Sequence, residues 1–163
     1  LHMLMDSFGA WAISAYKMLQ SLDEAVGKVI AKLEALKIAD RTLVIFTSDN
    51  GGLATIEGPN TPATINSPQR EGKGWLYEGG IRVPLIVKWP GVTKPGSSTD
   101  SMVASHDIFA TIIEACGAKA PHGIDGQSFS NVLKDSQATA RNELFWHYPG
   151  RGVQGGRRAC GMD

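Results

Sequence analysis

Between Thr42 and Pro84 the sequence reads TLVIFTSDNGG, then a long loop rich in Pro, Thr and Asn, then REGKGWLYEGGIRVP. The apolar run Leu43-Val44-Ile45-Phe46 stops abruptly at Asp49 and Asn50, followed by Gly51 and Gly52. This pattern predicts a buried strand, Thr42 to Ser48, that delivers polar side chains to a cleft. In open α/β sheets, sites form outside the carboxyl ends of strands. The two glycines let the chain turn sharply there. The oxygens of Asp49 and Asn50 are hard donors, suited to Ca²⁺ or Mg²⁺ rather than to Zn²⁺. Taken alone, DNGG reads first as an Asx turn.

The neighbouring segments add to that reading. Leu53 to Gly72 is a run of about twenty residues with neither a helical nor a strand period, a length usually reserved for functional or disordered loops. It ends in Arg70-Glu71-Gly72-Lys73-Gly74. A lysine between glycines can approach an anion closely as a point charge, although the tripeptide by itself also suits a solvated surface lysine. Acid, amide, loop and lysine together point to a site for an oxyanion ester beside a cation.

Upstream, Met18, Leu22, Ala25, Val29, Leu33 and Leu36 recur at three- and four-residue steps, predicting an amphipathic helix from Ser14. Gly27 lies inside it and predicts a close-packed neighbour. Helix, short loop and apolar strand in succession predict an α/β fold with a largely parallel sheet flanked by helices. Downstream, Gly79 and Gly80 suit a turn with positive φ, and Ile81 to Trp89 reads as a second strand with Pro84 at its start or on an edge. Ser105 reads as the cap of a helix from about His106 to Cys116, with Ile108, Phe109, Ile112 and Ile113 inward and Gly117 as terminator. Asp107 falls in its first turn, where the helix dipole favours a carboxylate. Ser128 to Lys134 reads as a short helix and Glu143 to Tyr148 as a strand.

The stretches TLVIFTSDNGG and REGKGWLYEGGIRVPLIVKWPG resemble the sulfatases, formylglycine-dependent sulfuric-ester hydrolases of the alkaline phosphatase-like superfamily. The resemblance runs from about Tyr16 through SHDIFATIIEACG and IDGQSFSNVL to ELFWHYP. It implies that Asp49 and Asn50 are ligands of a divalent cation, usually Ca²⁺ with Mg²⁺ the alternative. It also implies that Lys73 contacts the sulfate and that Arg70 helps to shape the same pocket. The implied substrate is a sulfate-ester small molecule or a sulfated glycan, and the implied location is exported: periplasmic, secreted or lysosomal.

One family feature is missing from these residues. No Cys (or Ser)-x-Pro-x-Arg, the motif whose first residue becomes formylglycine, occurs in the sequence: Cys116 precedes Gly-Ala-Lys and Cys160 precedes Gly-Met-Asp. The reading is therefore of the C-terminal part of a sulfatase, an incomplete alkaline phosphatase-like fold lacking the N-terminal catalytic half and inactive alone. A phosphate or phosphonate monoester hydrolase of the same superfamily, and a non-catalytic anion-binding fragment, stay open.

Composition narrows the partners. Lys plus Arg, 16, equals Asp plus Glu, 16, so no basic stripe calls for nucleic acid. No apolar run approaches the ~20 residues of a membrane span. Two cysteines make no disulfide framework, and Cys116 reads as a small packed hydrophobe. The expected organisation is a leader, 1–13, whose Leu1-His2-Met3 looks like a cloning remnant; a body, 14–148; and a mobile tail, 149–163. Gly150 to Gly155 matches G-x-G-x-x-G, but no helix follows it, so a dinucleotide site is rejected. Oligomeric state is left open.

Overall fold

The computed structural model describes residues 2–54 and 64–148. The expected tail 149–163, its G-x-G-x-x-G match and the middle of the long loop lie outside the described residues. Contacts divide the chain into two compact units, Leu1–Thr42 and Leu43–Asp163.

In the first unit, helix α1 spans His2–Ala35 and a 3-10 turn follows at Ala39–Arg41. The helix starts well before the expected Ser14. Leu4, Phe8, Trp11 and Ala15 continue the four- and three-residue steps that lead into Met18 and Leu22, and no proline interrupts them, so the helical period runs through the leading residues as well. Its C-terminus closes with two backbone hydrogen bonds, Lys37 N to Glu34 O (2.9 Å) and Ile38 N to Leu33 O (3.1 Å). This closure puts Lys37 at φ 55°, a left-handed position that usually falls to glycine. The apolar stripe is present, yet Met18, Leu22, Val29 and Leu36 are exposed. Gly27 has no close neighbour either: a methyl group there would meet nothing within 4 Å. The expected tight packing at Gly27 is thus corrected, and Gly27→Ala should raise helix stability by about 1 kcal/mol. A urea midpoint unchanged or lowered by Gly27→Ala would contradict this.

The second unit contains β1 (Val44–Thr47), α2 (Glu78–Ile81), β2 (Leu85–Lys88), α3 (Ser105–Ala115) and α4 (Ser130–Lys134). Both strands are shorter than expected, and Pro84 sits just before β2 as its missing N–H requires. The largely parallel sheet expected from the sequence appears here as one antiparallel pair, with Phe46 opposite Ile86 and Thr47 opposite Leu85. A parallel pair needs a long crossover, usually a helix, whereas the described helix between these strands has only four residues. Ile45, Val87 and Leu85 share one face of the ribbon and are half-buried, while Phe46 and Ile86 are exposed on the other.

The core lies between α3 and α4, where Phe129 (1 % exposed), Val132 and Ala110 are buried. The inward stripe of α3 is Asp107, Ala110, Thr111, at helical spacing. This corrects the expectation that Phe109 and Ile112 point inward, and both are exposed together with Cys116 on the opposite side. The cap of α3 is also one residue earlier than expected: Ala104 N donates to Asp107 Oδ2 at 2.8 Å. Gly117, at φ 65°, ends the helix as expected, with Ala118 N reaching Ile113 O at 3.0 Å. Residues 143–148 form no strand. Among the described residues no neighbouring strand is present to pair with them, and Phe145, Trp146 and Tyr148 are exposed. No helix of the described residues is long and apolar enough to cross a membrane.

Candidate functional site

Asp49 and Asn50 stand at the tip of β1. Their side chains converge, Asn50 Nδ2 donating to Asp49 Oδ1 at 3.1 Å, and Asp49 is exposed. Ser48 Oγ donates to Asn50 O at 2.8 Å and so closes the turn.

Beyond this tip the main chain is held by glycine packing. Gly51 N donates to Gly80 O at 2.9 Å, and Gly79 N donates to Arg70 O at 2.9 Å. A Cβ at Gly51 would stand 1.7 Å from Gly79 O, and one at Gly79 would stand 2.1 Å from Glu71 O. Neither Gly79 nor Gly80 has positive φ: both are buried inside α2. The expected turn at this pair is corrected, because the need for glycine comes from backbone-to-backbone proximity rather than from a left-handed dihedral.

The REGKG loop joins the same assembly. Lys73 N donates to Gly52 O at 3.1 Å, placing the main chain of Lys73 against the segment that starts two residues past Asn50. Asn66 spans both carriers: its Nδ2 donates to Gly52 O and to Glu71 O, each at 2.9 Å. Its role was missed in the sequence, where an asparagine inside an aperiodic loop gives no signal of which carbonyls it will reach. Glu71 is at φ 61°, a left-handed position for a residue with a side chain, and strained backbone of this sort is concentrated at functional sites.

Arg70 is placed differently from Lys73. Its guanidinium lies 3.9 Å from the centroid of the Tyr77 ring and 4.0 Å from Glu71 Oε1. Tyr77 in turn stacks with Trp75 at 6.3 Å, and Trp75 Nε1 is buried without a hydrogen-bond partner among the described residues. Glu78, at the start of α2, pairs with Arg82, whose NH1 lies 3.0 Å from Glu78 Oε2.

A hard cation would find a carboxylate and an amide side by side at Asp49 and Asn50. Turning the Asn50 amide over would present its oxygen beside the carboxylate, since the two ends of an amide are assigned from their hydrogen bonds. Among the described residues no group of three or more His, Cys, Asp or Glu converges on a metal position. The donors therefore fit as part of a set, well short of the about 6–8 oxygens Ca²⁺ takes.

A second polar cluster lies away from this assembly. Asp107, 1 % exposed, accepts hydrogen bonds from Ala104 N, from Gln127 N (2.8 Å) and from both Nε (3.1 Å) and NH2 of Arg141. Burial pushes the Asp107 carboxyl up, but the Arg141 side chain, the Gln127 and Ala104 amides and the Arg141 charge outweigh it and hold it below the usual carboxylate range. His106 Nε2 lies 3.4 Å from the Arg141 guanidinium. The arrangement ties Asp107, which lies in the first turn of α3 as expected, to a loop 34 residues further on. Arg141 was not singled out in the sequence.

Residues 71–158 match the family described as N-sulphoglucosamine sulphohydrolase, C-terminal, a span of more than half the chain. The chain belongs to the sulfatase family. A sulfatase of Formosa agariphila is 45 % identical over 144 residues, aligning 79 % of this segment with 25 % of its own length. Among solved structures, one described as Ps i-CgsB in complex with k-i-k-neocarrahexaose has a TM-score of 0.63 and 31 % identity, covering 71 % of this segment and 25 % of that chain. A phosphonate monoester hydrolase of Silicibacter pomeroyi has a TM-score of 0.57 and 27 % identity, covering 76 % of this segment and 21 % of that chain. The fold class is thus alkaline phosphatase-like, represented here by its C-terminal part. This sulfatase segment spans about a quarter of the length of the curated relatives it matches.

Proposed function

We propose that this segment supplies half of a sulfuryl-binding pocket to a sulfate-ester hydrolase. The observation that carries the reading is the hydrogen bond from Lys73 N to Gly52 O, which secures the lysine loop to the strand tip bearing Asp49 and Asn50. In this reading Lys73 donates from its ammonium to a sulfuryl oxygen as negative charge moves onto the leaving oxygen. A cation fixed in a partly dry pocket needs no reorganisation during that step. Asp49 and Asn50 would hold a divalent cation, Ca²⁺ or Mg²⁺, which supplies Lewis-acid polarisation when bound. Arg70, lying over Tyr77, braces the loop from behind, and Asn66 sets the distance between the two carriers. The substrate class is a sulfated glycan or a sulfated small molecule; the carrahexaose complex of a structural relative supports the glycan. The nucleophile of the reaction, formylglycine by family resemblance, comes from outside residues 1–163, in which its motif does not occur.

In the parent enzyme, Lys73→Ala should lower kcat on an aryl sulfate by about 10²–10³, the usual effect of deleting one charge-stabilising donor. The 163-residue chain alone should show no turnover. An active Lys73→Ala parent, or turnover by the chain alone, would overturn the reading. Phosphonate ester hydrolysis is a second reading, favoured by the Silicibacter pomeroyi likeness. A higher kcat/KM on phenylphosphonate esters than on aryl sulfates in the parent would decide for it.

A further inference from the structure

A cleft of about 520 Å³ opens in the second unit between the loop 98–102 and the loop 136–142. Its volume lies in the range of about 300–1,000 Å³ typical of small-ligand sites. It shares no residue with the Asp49, Asn50 and Lys73 assembly.

Two anchors hold its walls together. Ala140 N donates to Ser101 Oγ at 2.8 Å, joining one loop to the other. Arg141 runs from the cleft wall into the buried carboxylate of Asp107, which fixes the second loop to the first turn of α3. The cleft is therefore braced by a pair of which one member is almost completely buried.

The lining chemistry selects a ligand class. Asp100, Gln137 and Asn142 are exposed, and their side-chain polar atoms have no protein partner among the described residues. They offer a carboxylate acceptor and two amides that both donate and accept. Met102 and Ala138 add an apolar strip. The one cation in the lining, Arg141, is already neutralised by Asp107. Among the described residues of the lining, a sulfate or phosphate would meet the Asp100 carboxylate with no unpaired cation to offset it. A neutral ligand rich in hydroxyls suits the cleft: paired hydroxyls for Asp100, ring oxygens and hydroxyls for the amides, and a C–H face for Met102.

We propose that this cleft is a binding site for an uncharged sugar unit, separate from the sulfuryl pocket. The inference goes beyond the proposed hydrolase and does not need it, since a chain without sulfatase chemistry would hold the same sugar.

The test is titration of the 163-residue chain with agarohexaose, an uncharged galactose-based hexasaccharide, followed by calorimetry and by amide chemical shifts. Saturable binding with a dissociation constant of about 1 mM is expected, as for a shallow polar site. Asp100→Ala and Gln137→Ala, both exposed and so compatible with folding, should each weaken it by about tenfold, the equivalent of one or two lost hydrogen bonds. Lys73→Ala should leave it unchanged, which keeps failure here distinct from failure of the hydrolase reading. Absence of binding at about 10 mM sugar, some ten times the expected constant, would overturn the proposal. So would binding that Asp100→Ala and Gln137→Ala both leave intact.

Discussion

Gly51→Ala should destabilise the second unit by about 3 kcal/mol, the upper end of the overpacking range. The added carbon would lie 1.7 Å from Gly79 O and 2.7 Å from Gly79 C, so what must move is backbone rather than the end of a flexible side chain. Relief by separating the strand tip from α2 would break the bond from Gly51 N to Gly80 O. It would also carry off Gly52, the acceptor for Lys73 N and for Asn66. The lysine loop should then open, and limited trypsin digestion should show faster cleavage after Arg70 and Lys73 than in the unsubstituted chain. Gly27→Ala is the matched control, a glycine-to-alanine change with open space around it. Equal urea midpoints for Gly51→Ala and the unsubstituted chain would mean that the crowding described here does not exist in solution.

Arg141→Ala should cost about 3–5 kcal/mol, because it leaves the buried Asp107 carboxylate without its counter-charge. Two backbone amides still reach Asp107, from Ala104 and Gln127, but neither carries a formal charge. Replacing both partners with apolar residues of similar volume, Asp107→Leu with Arg141→Met, should cost much less than the sum of the single changes. The same pair sets a pH dependence. The Asp107 pKa is lowered on folding, so the unfolded state takes up its proton first as acid is added. The contribution of Asp107 to stability is complete above the unfolded-state value of about 3.9 and disappears as pH falls through the lower native value. Glu114 adds in the same direction: hydrogen bonds from Ser128 and Ser130, with the Lys134 charge, outweigh partial desolvation of this exposed side chain and hold its carboxyl low. Denaturation midpoints measured across pH 5 to about pH 2 should therefore fall, and the fall should be smaller in Arg141→Ala. An acid limb equally steep in both proteins would contradict this origin.

Local chemistry was legible in the sequence. The end of an apolar run at Asp49-Asn50 gives a strand tip, and Lys73 between glycines gives a charged loop, because both depend on neighbours in sequence. Gly117 was legible for the same reason, as a helix terminator. Contacts between distant residues were not. Nothing near Arg141 in sequence announces Asp107, which lies 34 residues away, and Asn66 gives no sign of the two carbonyls it bridges. Gly79-Gly80 was misread for a related reason: the same residue type serves a left-handed turn or a tight backbone contact, and only the neighbour across the fold distinguishes them. The amphipathic stripe of α1 and the apolar pattern of α3 were legible as patterns, yet periodicity states which residues share a face and not whether that face is covered. Phe109 and Ile112 are the instance, apolar and in register but open to water.

The ribbon formed by β1 and β2 has a practical consequence for anyone purifying this polypeptide. Phe46 and Ile86 sit directly opposite one another on its open side, and in the described residues no third strand lies along it. An exposed apolar pair beside strand edges left unpaired among the described residues can recruit strands from other molecules. Concentrated stocks should grow turbid on storage, and Ile86→Lys, which puts a charge on that surface, should keep them clear.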